Sequence, residues 1–311
     1  MGRGLAQGVG GTGRAVALKT EEGANQMTLP SWTLLVQSIL SGLFAGALYG
    51  LLGLGLSLSW GMLRQINLAH FALAFLGAYL TYQLSTSFAV DPLVTLALIV
   101  PMFFAIGAAV HALLSRFRVS AFNSMLVTFG ITVMVEALLQ WIWTADYRKL
   151  ESHYGEHKLR VGSIFLPAPE MMTLAMSVGI AVATWLVLQR TEVGKALRAS
   201  AEDASIAAAF GVNQQAMALL LSGFNAALAG VAGVCIALAY TLAPSQIYTW
   251  IGVIFACVML GGLGRPLGPL IAGCLIGVSE AITMAVASPS WAPLVSFALL
   301  MAVLLLRPGR V

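Results

Sequence analysis

The sequence predicts an all-α, polytopic membrane protein with eight or nine membrane segments. Three observations carry that expectation. Only 9% of the 311 residues are charged, against about 25% in soluble domains, which is too few to cover a water-facing surface. Hydrophobic residues make up 59% of the chain and the mean hydropathy is +0.90. The apolar residues also run in unbroken stretches, each long enough for a helix to cross ~30 Å of hydrocarbon. Strands of a membrane barrel would instead alternate apolar and polar positions.

Residues 1–30 are Gly-rich and polar, lack the apolar core of a signal peptide, and read as a disordered tail. They hold a formal G-x-G-x-x-G at Gly8, Gly10 and Gly13. No strand pattern precedes it and no helix pattern follows, so it does not read as a dinucleotide site. Residues 31–307 form the membrane domain. Apolar segments fall at 32–60, 66–87, 92–115, 121–145, 168–190, 213–241, 247–262, 267–287 and 290–306. The run Gly261–Gly268 breaks an otherwise continuous stretch, and the seventh and ninth segments are short. Eight full spans with one re-entrant segment, or nine spans, both fit.

With nine spans and a cytoplasmic C-terminus, the inner connections carry Arg64, Arg116, Arg118, Arg190, Lys195, Arg198, Arg265, Arg307 and Arg310. The outer ones carry Arg148, Lys149, Lys158 and Arg160, and the tail adds Arg3, Arg14 and Lys19. Basic residues favour the cytoplasmic side, so this orientation is preferred. It places Trp141, Trp143, Tyr147, Tyr248, Trp250 and Trp291 at the outer interface, where amphipathic rings settle. Residues 146–167 become the main external loop and 191–212 a cytoplasmic one. The net charge of +4 reads as loop charge rather than a nucleic-acid surface, because the basic residues are scattered. Cys235, Cys257 and Cys274 lie in apolar runs as small hydrophobes. With the four histidines they show no metal-ligand spacing, so no metal site is expected.

Gly42, Gly46 and Gly50 share one face of the first segment, and Gly273 and Gly277 repeat the four-residue spacing later. Small residues at that spacing let helices approach closely, so these five are packing residues. Leu40–Trp60 and Leu221–Tyr240 resemble each other, a faint internal repeat of the kind transporters carry. Asn67 and His70 are three residues apart, on one face at the mouth of the second segment. They read either as helix–helix glue or as lining of a solute path. Glu136 lies about 15 residues into its segment, where a carboxyl group is expensive and functional by default. Glu280 is nearer a helix end and reads as interfacial.

The segment TEVGKALRASAEDASIAAAFGVN, Thr191–Asn213, carries five formal charges between two apolar runs. Ser200 with Asp203 three residues on is a capping-box variant, and Gly211 follows Phe210 where a C′ glycine would end a helix. A capped helix of about ten residues is too short to span a bilayer and must lie at its cytoplasmic face. It is alanine-rich and compact rather than Lys-rich and strongly amphipathic, so a protein partner fits it better than lipid.

Three stretches resemble a known family: GALYGLLGLGLSLSWGMLRQINLAHFALAFLGAYL, the Thr191–Asn213 segment, and VIFACVMLGGLGRPLGPLIAGCLIGVSEAI. In this order they resemble the LivH-type permease subunit of ATP-binding cassette (ABC) importers for branched-chain amino acids and related amides or urea. The resemblance covers most of 40–306. It implies an importer permease fold and a transport subunit rather than an enzyme. It also implies that 191–212 is a coupling loop docking on a cytoplasmic ATPase. Gly194, Arg198, Ala201, Glu202, Asp203 and Gly211 match the loop, and Asn67, Ala69 and His70 match an Asn-x-Ala-His signature. The implied partners are a second homologous permease, two ATPase subunits that bind the ATP, and an external solute-binding protein, around a multi-pass subunit of the bacterial inner membrane. No phosphate-binding G-x-x-x-x-G-K-[ST] occurs in the chain, so no cofactor is expected in it. The family usually follows the histidine with Gly and an acid; here Phe71 and Ala72 stand there. Glu136 stands where a less acidic residue is expected. The competing reading is a self-contained ion-coupled transporter with Glu136 as its proton site. A membrane-embedded enzyme finds no catalytic set to support it.

Overall fold

A computed structural model describes residues 31–117, 120–156, 158–287 and 289–306. The predicted tail at 1–30, including Gly8, Gly10 and Gly13, lies outside the described residues, as do Arg118, Arg307 and Arg310. All nine apolar segments form helices: α1 Trp32–Leu63, α2 Ala69–Phe88, α3 Leu96–Arg116, α4 Ala121–Trp143, α6 Ala168–Arg190, α9 Gln214–Ala239, α10 Ile247–Gly261, α11 Gly268–Val286 and α12 Ala292–Leu306. Among the described residues, seven stretches are helical, long and apolar enough to cross a membrane. The two helices outside that set differ in kind. α12 is short, at 15 residues. α2 has 20 residues, but most of it is buried inside the bundle, so it meets protein rather than lipid and needs less apolar surface.

α1 and α9, the two halves of the faint repeat, form the buried centre. α1 packs along α11, and α9 packs along α3 and α2. Each central helix thus leans most heavily on the second helix after the other, α11 after α9 and α3 after α1. The α1–α11 crossing is built on glycine. A methyl group added at Gly42 would stand 2.5 Å from the Gly277 carbonyl oxygen, and one at Gly50 would stand 2.6 Å from Leu270 Cα. Gly46 and Gly273 meet backbone to backbone in the same way.

The loop at 146–167 holds the one departure from an all-α chain among the described residues. After a single turn, α5 His153–Glu156, strands β1 Lys158–Val161 and β2 Ile164–Pro167 pair antiparallel. Gly162 at φ 64° sits in the two-residue turn between them, where a tight hairpin demands left-handed backbone. Gln37 anchors β2 by hydrogen bonds in both directions with the Phe165 backbone (2.9 and 3.0 Å). Arg148 exchanges backbone hydrogen bonds with Leu242.

Two of the expected interfacial tryptophans pack against protein. Trp143 is buried and donates to Gln83 at 2.7 Å. Trp250 meets Tyr49, Phe75 and Tyr240 edge-on. An indole that finds an acceptor or an aromatic nest no longer needs the headgroup region. Trp141, Tyr147, Tyr248 and Trp291 remain exposed.

Candidate functional site

The segment between α6 and α9 folds as two helices, not one. α7 spans Glu192–Glu202 and α8 spans Ala204–Ala209. α7 starts at Thr191, whose hydroxyl accepts from Gly194 N–H at 3.1 Å while donating to the Val187 carbonyl at 2.7 Å. Ser200 is not a cap: it lies inside α7, and its hydroxyl donates back to the Ala196 carbonyl. Asp203 caps α8 instead. Its extended backbone (φ −145°) breaks the chain of helical residues, and Oδ1 accepts from the N–H groups of Ser205 and Ile206 and from the Ser205 hydroxyl. The Ser205 hydroxyl bond first, then the Ile206 N–H, hold the Asp203 carboxyl below the usual range. Gly211, at φ 88°, ends α8 as expected, and Val212 N–H reaches back to the Ala207 carbonyl, a Schellman closure.

The residues singled out in this loop take different places. Gly194 is buried at the corner between α6 and α7. A methyl group there would stand 2.5 Å from both Leu188 Cα and its carbonyl oxygen, so the two helices touch backbone to backbone. Leu197 is buried beside it among Leu54, Leu58 and Leu188. α7 is therefore more amphipathic than the sequence reading allowed, with its apolar side turned into the bundle. Arg198 is half-buried, near Gln189, and its Nε has no partner. Glu202 stands between two cavities. One, of 530 Å³, is also bordered by Arg64, His111 and Asp203; the other, of 780 Å³, by Arg198 and Arg265. Ile206 and Phe210 project from α8, with Phe210 86% exposed. Sequence reading missed both as exposed apolar residues. The available signal was a large aromatic placed directly before the terminating glycine.

The path candidates are not brought together. His70 is buried, and its Nε2 reaches the Leu52 carbonyl at 3.1 Å. Its ring fills the space opposite Gly55, where a methyl group would come within 3.0 Å of Nε2. It acts as a strut between α1 and α2. Asn67 borders a 10 Å³ cavity with Ser59, Ser124 and Thr128, and its Oδ1 has no partner. Glu136 lies higher on α4, half-buried, accepting from the Tyr248 hydroxyl (2.6 Å) and the Gln140 amide (3.1 Å).

These residues share a pattern missed in the sequence. Ser120, Ser124, Thr128, Thr132, Glu136, Gln140 and Thr144 recur at every fourth position of α4 and its caps. Four residues turn a helix by about 400°, so the stripe drifts about 40° per step. Ser124, Thr128 and Thr132 are accordingly buried, while Gln140 emerges on the outside of the chain. Thr128 holds the α2 entrance, accepting from Leu68 N–H at 3.1 Å.

The family described as branched-chain amino acid transport system, permease component, matches residues 38–304. The chain belongs to that permease family. Among curated relatives, the high-affinity branched-chain amino acid permease protein LivH of Salmonella typhimurium is 27% identical over 88% of this chain and 94% of its own. BraD of Pseudomonas aeruginosa, named likewise, is 28% identical with the same coverage. A probable LivH of Methanocaldococcus jannaschii is 27% identical over 75% of this chain and 76% of its own. No solved structure matches the chain.

Within this permease, Phe71 and Ala72 are core residues: both are buried, and Phe71 stacks on Phe255. Glu280 is not interfacial. It is buried between α1, α11 and α12, accepting from the Tyr49 and Ser296 hydroxyls. Two donors on neighbouring helices make its burial tolerable. Ser57 clamps the connection that breaks the Gly261–Gly268 run. Its hydroxyl donates to the Gly262 carbonyl and accepts from Gly264 N–H at 3.1 Å.

Proposed function

We propose that this chain is a permease subunit of an ABC importer, moving branched-chain amino acids or similar small amino acids and amides across a bacterial inner membrane. It works beside a second homologous permease, with two cytoplasmic ATPases that bind the ATP and an external binding protein that delivers the solute. The C-terminus is cytoplasmic in this arrangement. The observation that carries the reading is the α7–α8 unit. Gly194 and Leu197 tie it rigidly to the bundle, while Ile206 and Phe210 present apolar surface outward beside Glu202. A large exposed aromatic with satellite apolar and charged neighbours is the composition of an interface anchor, and the ATPase supplies the matching surface.

The test is ATP-driven uptake by the whole importer in liposomes, with assembly checked by co-purification. Phe210→Asp should uncouple ATP hydrolysis from uptake. So should Glu202→Arg, and so should Gly211→Pro, because proline cannot adopt the positive φ of that position. Normal uptake by all three would refute the docking role. Uptake by this chain alone, without ATP, would refute the importer reading in favour of an ion-coupled transporter.

A further inference from the structure

The upper half of the α4 stripe holds a carboxyl group that the described residues cover only in part. Glu136 lies seven residues before the end of α4 at Trp143, about 10 Å inside the helix end. It is only half-buried, and its neighbours Gln140 and Tyr248 are exposed. A carboxyl group turned toward acyl chains at that depth is strongly disfavoured, and such groups face protein or a water-filled path. Val133, one turn below on the same side, is also exposed.

The hydrogen bonds show how the group is prepared. The Tyr248 hydroxyl donates to Oε2 and the Gln140 amide to Oε1. Both oxygens are thereby fixed from two helices, and each keeps a further lone-pair direction free. A group presented as an acceptor, with donors already behind it, is made for an additional donor in front. Buried polar groups continue below it, through Thr132, Thr128, Ser124 and the unpartnered Asn67 Oδ1.

We propose that Glu136 receives the protonated amine of the transported solute. The ammonium group would meet the free face of the carboxylate, and an apolar side chain would lie toward Val133. This inference rests on the importer reading above and gives it a specificity residue on the path. One charged contact, rather than an enclosing pocket, suits a path that must also release its solute.

The test uses the complete importer in liposomes, with leucine-loaded binding protein outside. Wild-type uptake on ATP is measured first; its absence would refute the importer reading itself, before any variant is compared. Glu136→Gln keeps size and hydrogen bonding but removes the charge, and should slow uptake about tenfold, as expected for a lost charge-assisted bond. Glu136→Asp keeps the charge and should retain uptake within about threefold of wild type. Isopentylamine at millimolar concentration should slow the wild type and leave the residual Glu136→Gln rate unaffected, while isovalerate should slow neither. Wild-type rates in Glu136→Gln, equal losses in the Gln and Asp variants, or equal inhibition of wild type and Glu136→Gln by the amine would each overturn the proposal.

Discussion

Gly46→Ala should destabilise this permease, although the same change at Gly179 should not. At Gly46 the added methyl would stand 2.7 Å from Cys274 Cα, about 0.7 Å short of the 3.4 Å at which ordinary contact begins. The obstacle is backbone, so no side-chain rotation relieves it and the helices must part. A gap of that size forfeits a quarter to a half of each dispersion contact. If the crossing holds about as many contacts as one buried leucine, ~40–60 at 0.1–0.2 kcal/mol each, about 2–4 kcal/mol is lost. Alanine's better helix propensity returns about 1 kcal/mol, leaving a net loss of about 1–3 kcal/mol. Gly179 lies mid-helix in α6 with nothing within 4 Å of an added methyl, so Gly179→Ala should gain up to about 1 kcal/mol. Thermal unfolding of the two purified variants in one detergent measures the difference. If both shift the midpoint in the same direction, glycine contact is not what sets the α1–α11 distance.

Two further predictions concern the start of α8 and the connection between α10 and α11. Asp203 has a folded-state pKa held below the ordinary carboxylate value by Ser205 and Ile206. Its contribution is therefore complete above the unfolded pKa of about 3.9 and is lost as pH falls through the lowered value. Asp203→Ala should expose residues 204–210 to hydrogen exchange at neutral pH, and unchanged protection would remove its role as the α8 cap. Ser57→Ala removes the donor to the Gly262 carbonyl, while Gly264 N–H keeps the Ser57 backbone carbonyl at 3.1 Å, and should lower stability by about 1 kcal/mol in thermal unfolding.

The helices were legible because bilayer length and hydropathy act on each segment separately. What decides between neighbouring polar residues was not. Ser200 and Asp203 are both good caps by type. Only the start of α7 at Thr191 shows that the helix already runs through Ser200, and that Asp203 is where the backbone turns. The burial of Trp143 and Glu280 was missed for a related reason. Each is held inside by a partner distant in sequence, such as Gln83 for Trp143 or Ser296 for Glu280. The stripe on α4 was visible at its four-residue spacing. Its division into a buried and an open half depends on which neighbours α4 meets as it turns, which composition does not reveal.

The corner at Gly194 has a mechanical consequence. Linkages lose motion to backlash wherever a joint has play, and small displacements disappear first. Here the last turn of α6 and the first turn of α7 meet with no room for a single methyl group. A displacement applied to α7 would therefore reach α6 without slack at this corner, and under the docking proposed above the stroke of an ATPase would become the stroke of a helix in the bilayer.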